Sequence, residues 1–274
     1  MNALKNETTM RRVVHRTRGH AHGPITRLVS PSDLGQRIKP FVFLDYFDFD
    51  PQRSPGIGFH PHSGIATVTV VLEGQVSYEE TSGTKGVIEA GGVEWMRASG
   101  GIWHTGGAAG RARVRGFQLW LALPPELENI EPQARYLEAG RFKRQGPARV
   151  ILGEGSEVPA PKAISYLDVA LKRGATWRYE PPRDHTVAWI AVHRGKVATP
   201  DIVKAGELAI FDESNGAIEF TAVEDAGFVL GSALKHPHEL VLGMYSVHTS
   251  RQALDRGEAR IAEIGRLLQK QGRL

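Results

Sequence analysis

The chain has 274 residues, 41% hydrophobic and 23% charged, a balance that supports one large or two ordinary packed domains and excludes an intrinsically disordered protein. Thirty-four Lys and Arg against 30 Asp and Glu leave a net charge of only +4, which implies no nucleic-acid partner. Cysteine is absent, which removes disulfides, thiolate catalysis and Cys-bound zinc together, and no apolar run reaches the roughly 18 residues that would suggest a membrane span.

The opening residues 1–7, Met-Asn-Ala-Leu-Lys-Asn-Glu, lack the apolar core of a secretory signal, so the expected location is the cytoplasm. Arg11, Arg12, Arg16 and Arg18 follow, and they are expected to form a solvated, partly disordered start rather than a phosphate site. From there 31 Gly and 16 Pro interrupt short β-branched and aromatic runs, the pattern of many strands joined by tight turns. Strands are predicted over 65–72, 114–121, 186–192 and 228–233. Only the end reads as helix: Leu254, Ile261, Ile264, Leu267 and Leu268 recur at helical spacing among charged residues, with Ser250 or Thr249 as the cap.

The chain also echoes itself. Val71-Leu-Glu-Gly-Gln-Val76 is answered 121 positions on by Val192-His-Arg-Gly-Lys-Val197, and Ala90-Gly-Gly-Val93 is answered by Ala205-Gly-Glu-Leu208. Two related β-domains are predicted, one over residues 1–140 and one over 141–274 that ends in the helix, with the boundary in the polar stretch 140–147.

His60-Pro61-His62 and His104 bear the candidate chemistry. In a strand, residues two apart project to the same side, so His60 and His62 can grip one ion. Imidazole is a common ligand for transition metals, and three of them leave coordination positions open. At the offset of the echo, His60 and His62 fall on Pro181 and Arg183, and His104 falls near Glu219, so the second domain is expected to lack the site.

Several motifs, in order, resemble the pirin family: Phe41-Val-Phe-Leu-Asp-Tyr-Phe47, His60-Pro-His-Ser-Gly-Ile-Ala-Thr-Val-Thr69, Gly92-Val-Glu-Trp-Met-Arg-Ala-Ser-Gly-Gly-Ile-Trp-His104 and Gly116-Phe-Gln-Leu-Trp-Leu-Ala-Leu-Pro124. The likeness continues more loosely through Gly243-Met-Tyr-Ser-Val-His-Thr249. It implies an all-β fold of two tandem cupin-type barrels, a bicupin, with a C-terminal helix. It also implies that His60, His62 and His104 are the metal ligands of the N-terminal barrel. Where pirins typically read His-Ser-Glu this chain reads His104-Thr105-Gly106, so the family's carboxylate ligand is absent. Where they often read Gly-Phe-Glu it reads Gly64-Ile65-Ala66.

The resulting expectation is a metal-dependent oxidoreductase, a dioxygenase of a small aromatic or enolic substrate. It would hold a divalent transition metal, Fe(II) first and Mn, Ni, Cu or Zn as alternatives. Flavonol cleavage is the less favoured reaction, because Gly106 removes the group that would take the substrate's proton. The alternative is a non-catalytic metal-binding module that regulates through a protein partner. Neither a nucleic acid nor a membrane is expected as a partner, and no catalytic residue is assigned. His20, His22, His236 and His238 are read as surface or lid histidines, with His20 or His22 as a candidate to fill the open coordination position. Asp45, Asp48 and Asp50 read as a strand end, and Arg111, Arg113 and Arg115 as a solvated or acid-paired face. Glu94 and Trp95 are neighbours on one strand, so only one faces inward; an inward Glu94 could replace the lost carboxylate, but the family pattern favours no ligand role for it.

Overall fold

The computed structural model describes residues 10–53 and 56–274, so the opening residues 1–7, on which the expectation about a secretory signal rests, lie outside the described residues. The first half runs β1 (Val13–Thr17), β2 (His20–His22), β3 (Ile25–Val29), α1 (Leu34–Ile38), β4 (Phe41–Phe49), β5 (Ile57–His62), β6 (Ile65–Glu73), β7 (Gln75–Glu80), β8 (Lys85–Glu89), β9 (Val93–Arg97), β10 (Ile102–Ala108), β11 (Val114–Ala122) and β12 (Gln133–Leu137). The second runs β13 (Arg144–Gln145), β14 (Ala148–Leu152), β15 (Ile164–Leu171), β16 (Thr176–Tyr179), β17 (Val187–Arg194), β18 (Lys196–Thr199), β19 (Asp201–Lys204), β20 (Glu207–Phe211), β21 (Ile218–Ala222), β22 (Ala226–Ala233), β23 (Val241–Leu242), β24 (Val247–His248) and α2 (Arg251–Lys270). No helix among the described residues is long and apolar enough to cross a membrane.

The strands form two barrels of one topology. The first barrel combines a seven-stranded sheet, β12-β9-β6-β11-β4-β3-β2, with a four-stranded sheet, β5-β10-β7-β8. The second repeats it as β1-β20-β17-β22-β15-β14-β13 and β16-β21-β18-β19. The echoed glycines explain the repeat. Gly74 joins β6 to β7 at φ +74° and Gly195 joins β17 to β18 at φ +67°, a left-handed backbone that favours glycine. A Cβ would also collide there, 2.4 Å from the Arg113 carbonyl oxygen in one turn and 2.2 Å from that of Asp225 in the other.

The compact units are not consecutive halves. The first barrel is built from Gly19–Arg141 and His236–Leu274, the second from residues 10–18 and Phe142–Lys235. In the second barrel β1 takes the sheet position that β12 holds in the first, pairing with β20. That corrects the solvated reading for Arg11, whereas Arg12, Arg16 and Arg18 stay exposed. Arg11 is 1% exposed, and its guanidinium donates to the carbonyls of Gly216, Thr186 and His185, which take up three of its five N–H groups. Arg16 and Arg18 reach Glu207, and Arg12 reaches Asp212.

The helix belongs to the first barrel, not the second as expected, because its buried stripe is shaped for it. Ser250 is the N-cap, its hydroxyl accepting from the Ala253 N–H. Leu254, Gly257, Ile261, Gly265 and Leu268 are buried, whereas Leu267 is exposed. The two glycines let the helix close in: a Cβ on Gly265 would stand 2.8 Å from the Trp103 ring, and the Trp103 indole N–H donates to the Ile261 carbonyl at 2.8 Å. The second barrel's core holds Tyr179, Ile190, Phe211, Phe220 and Phe228, with Trp177 packed against them. Pro181 and Arg183 fall in the loop after β16, and Glu219 is exposed on β21.

Candidate metal centre

Strand periodicity and one register build the histidine cluster. His60 and His62 project from the same face of β5, and antiparallel pairing sets His104 of β10 directly opposite His60. Pro61 and Trp103, the partners between, alternate to the other face, where Trp103 meets α2. The ring centroids lie 5.0 Å apart for His60 and His62, 4.4 Å for His60 and His104, and 5.1 Å for His62 and His104. One ligand atom from each lies within 4.8 Å of the others, a grouping that could hold a metal ion.

The nitrogens not facing the cluster are engaged in the way metal-binding histidines require. His60 Nδ1 is 2.8 Å from the Gly58 carbonyl oxygen and His62 Nδ1 is 3.1 Å from that of Tyr245. A carbonyl only accepts, so both Nδ1 atoms bear the proton and both Nε2 atoms keep their lone pairs. His104 Nε2 is buried with no hydrogen-bond partner, and on its other side Nδ1 stands 3.8 Å from Glu94 Oε1. Burial, reinforced by His104, lowers the His60 pKa to about 4, and burial with the neighbouring imidazoles holds His62 well below its ordinary value. These two rings are neutral at pH 7 and have lone pairs to give to a cation.

The cluster lines a cavity of about 440 Å³ in the first barrel. Its walls are mainly apolar: Phe43 stacks on Trp120 at 4.0 Å, Phe47 and Phe49 continue that side, and Met244 and Tyr245 stand exposed at the lining. Crossing it is one polar rung. Glu94, Thr69, Gln118, Asp45 and Arg27 are successive cross-strand partners on β9, β6, β11, β4 and β3, and all five line the cavity. At one end Arg27 pairs with Asp45. At the other the Thr69 hydroxyl donates to Glu94, and the Gln118 side-chain amide lies 2.8 Å from the same hydroxyl. Burial pushes the Glu94 carboxyl up, but His104 and the Thr69 donor outweigh it and hold the group below its ordinary value.

The pirin family model matches residues 23–121. A pirin-like protein of Caulobacter vibrioides is 33% identical over 220 residues, covering 75% of this chain and 79% of its own length. The chain belongs to the pirin family. A Pseudomonas aeruginosa protein provisionally named quercetin 2,3-dioxygenase is 34% identical over 255 residues, covering 85% of this chain and 88% of its own. Among solved structures, a quercetin 2,3-dioxygenase from Acinetobacter baumannii superposes on this pirin with a TM-score of 0.82 at 24% identity, over 94% of this chain and 98% of that one. A bacterial pirin from Escherichia coli in complex with nickel(II) does so at 0.66 and 22%, over 79% of this chain and 95% of that one. At these identities the two structures show the shared fold.

The remaining sequence candidates sort by position. Gly106 lies two residues beyond His104 and lines the cavity, so no side chain stands at the place of the family carboxylate; a Cβ there would lie 3.0 Å from the Ser77 carbonyl oxygen. His20 and His22 are exposed on β2 and belong neither to the cluster nor to the cavity lining. His236 is buried against His238, also outside the cluster. Asp45 corrects the strand-end reading, since it is buried in the middle of β4, lines the cavity and pairs with Arg27; Asp48, next to the end of β4, pairs with Arg113 and Arg115. Glu94 faces the cavity but is not among the grouped ligand atoms. Sequence reading missed the Tyr245 carbonyl altogether, because a backbone acceptor leaves no signature in residue identity.

Proposed function

We propose that His60, His62 and His104 bind a divalent transition metal, Fe(II) in the leading case, in the first barrel, and that this pirin is a metal-dependent oxidoreductase, a dioxygenase of a small aromatic or enolic substrate. The observation that carries the reading is the grouping of three imidazole ligand atoms within 4.8 Å on the wall of an apolar cavity. The names of the Pseudomonas and Acinetobacter relatives and the nickel(II) complex of the Escherichia coli pirin support the same chemistry. A bound ion supplies a Lewis-acidic, redox-capable centre next to the substrate. The chain's own groups do the rest. Gly58 and Tyr245 orient His60 and His62 through their carbonyls, and the stacked Phe43 and Trp120 offer a flat aromatic wall that excludes water. Gly106 brings no side chain to the cavity lining two residues beyond His104.

Gly106 also favours the second reading, a metal-binding module without turnover, since no residue there accepts a proton. One experiment separates the two. Protein purified without added metal is assayed for metal content, then loaded with Fe, Mn, Ni or Cu and tested for O₂ uptake with quercetin and simpler phenols. About one ion per chain, lost in His60→Ala and His104→Ala, with phenol-dependent O₂ uptake is the expected result. Equal metal in wild type and His60→Ala overturns the site, and metal without O₂ uptake favours the binding module.

A further inference from the structure

Three neutral imidazoles bring no negative charge to a divalent ion, and the position two residues beyond His104 is a glycine. The cavity lining nevertheless includes two carboxylates, and the structure treats them differently. Asp45 is bound by the Arg27 guanidinium, so its charge is already matched. Glu94 is 5% exposed and meets no Lys or Arg among the described residues; its neighbours are the Thr69 hydroxyl and, at 3.8 Å, His104 Nδ1. A buried carboxylate without a cation is costly unless its environment returns the cost.

We propose that Glu94 is a positioning residue for the metal centre: it holds His104 in the Nδ1–H form, presents Nε2 as a ligand, and supplies the negative charge that the triad lacks. The inference rests on the metal reading above. Its geometry is specific to one ligand of the three. His60 and His62 are oriented by neutral backbone carbonyls, whereas the side chain facing His104 Nδ1 is charged, and His104 Nε2 is the buried, unpartnered nitrogen. Register keeps Glu94 in place, because Thr69 is its direct cross-strand partner on β6 and Gln118 is the next on β11. Carboxylates that orient a ligating histidine are worth roughly 10–100-fold in metal affinity.

Co(II) is the probe, titrated into metal-free wild type, Glu94→Gln, Glu94→Asp and His104→Ala while its visible absorption is recorded. Glutamine keeps the shape and can still accept from Thr69, but brings no charge. The expected result is a 10–100-fold weaker Co(II) affinity in Glu94→Gln, a shifted visible spectrum, partial recovery in Glu94→Asp, and metal-free stability equal to or above wild type. Co(II) affinity in Glu94→Gln within threefold of wild type, with an unchanged spectrum, overturns the inference and leaves the metal site standing. Equal affinity in wild type and His104→Ala overturns the metal reading itself. A weaker affinity accompanied by a lower metal-free Tm, unrecovered in Glu94→Asp, assigns Glu94 to folding and likewise overturns the inference.

Discussion

His236 is a buried ring whose protonation, like that of His60 and His62, works against the first barrel in acid. Burial, with His238 and Lys39 adding and Glu126 opposing, lowers its pKa to about 4, and its Nε2 is buried without a partner. A histidine lowered from about 6.5 binds its proton less well in the folded chain than in the unfolded one. Its contribution is therefore complete above about pH 6.5 and is lost as pH falls toward 4, by on the order of 2–3 kcal/mol at most. Urea unfolding at pH 7 and pH 4.5 should show a smaller acid loss in His236→Gln than in wild type, and equal losses would refute the assignment. His60 and His62 were legible together because period-two spacing declares a shared face, and His104 joined them through the resemblance to the pirin family. Glu94 was not, since Val93, Glu94 and Trp95 are all buried and a strand covered on both sides hides the alternation that tells in from out.

Among the elements, α2 has the sharpest stereochemical demand. Its apolar spacing, its cap and most of its buried positions are readable in sequence, but periodicity counts only side chains, and two of its closest contacts are made by glycines. A Cβ on Gly257 would lie 2.4 Å from Ser63 Oγ and 2.6 Å from His248 Nε2, two groups that are themselves hydrogen-bonded to each other. Gly257→Ala in a free helix would stabilise by up to about 1 kcal/mol. Here the overpacking should win, costing about 1–3 kcal/mol by chemical denaturation. A variant more stable than wild type would show that α2 is less closely seated than its glycines imply. The five-residue α1 escaped prediction for the opposite reason: Leu34–Ile38 is too short for a hydrophobic period to repeat.

For the molecule as a whole, the internal echo made the two barrels legible, because both copies need glycine at the same left-handed turns. The assignment of the termini was not legible, since it depends on which distant groups satisfy each other rather than on local pattern. The segment after His236 answers needs that lie within residues 19–141. The Tyr245 carbonyl accepts from His62, and Ser246 and His248 bond Ser63. Glu128 accepts from the Thr249 N–H at 2.8 Å and from its hydroxyl at 2.9 Å, and the Ile261 carbonyl accepts from Trp103. Each buried polar group left without its partner costs about 1–3 kcal/mol, and several together approach the roughly 5–15 kcal/mol that holds a domain folded. A fragment cut at the apparent sequence boundary, ending at residue 141, should therefore show no cooperative unfolding transition and no Co(II) binding, although it contains all three histidines. Cooperative melting with wild-type Co(II) affinity in that fragment would mean that residues 236–274 only cover a barrel able to form its site alone.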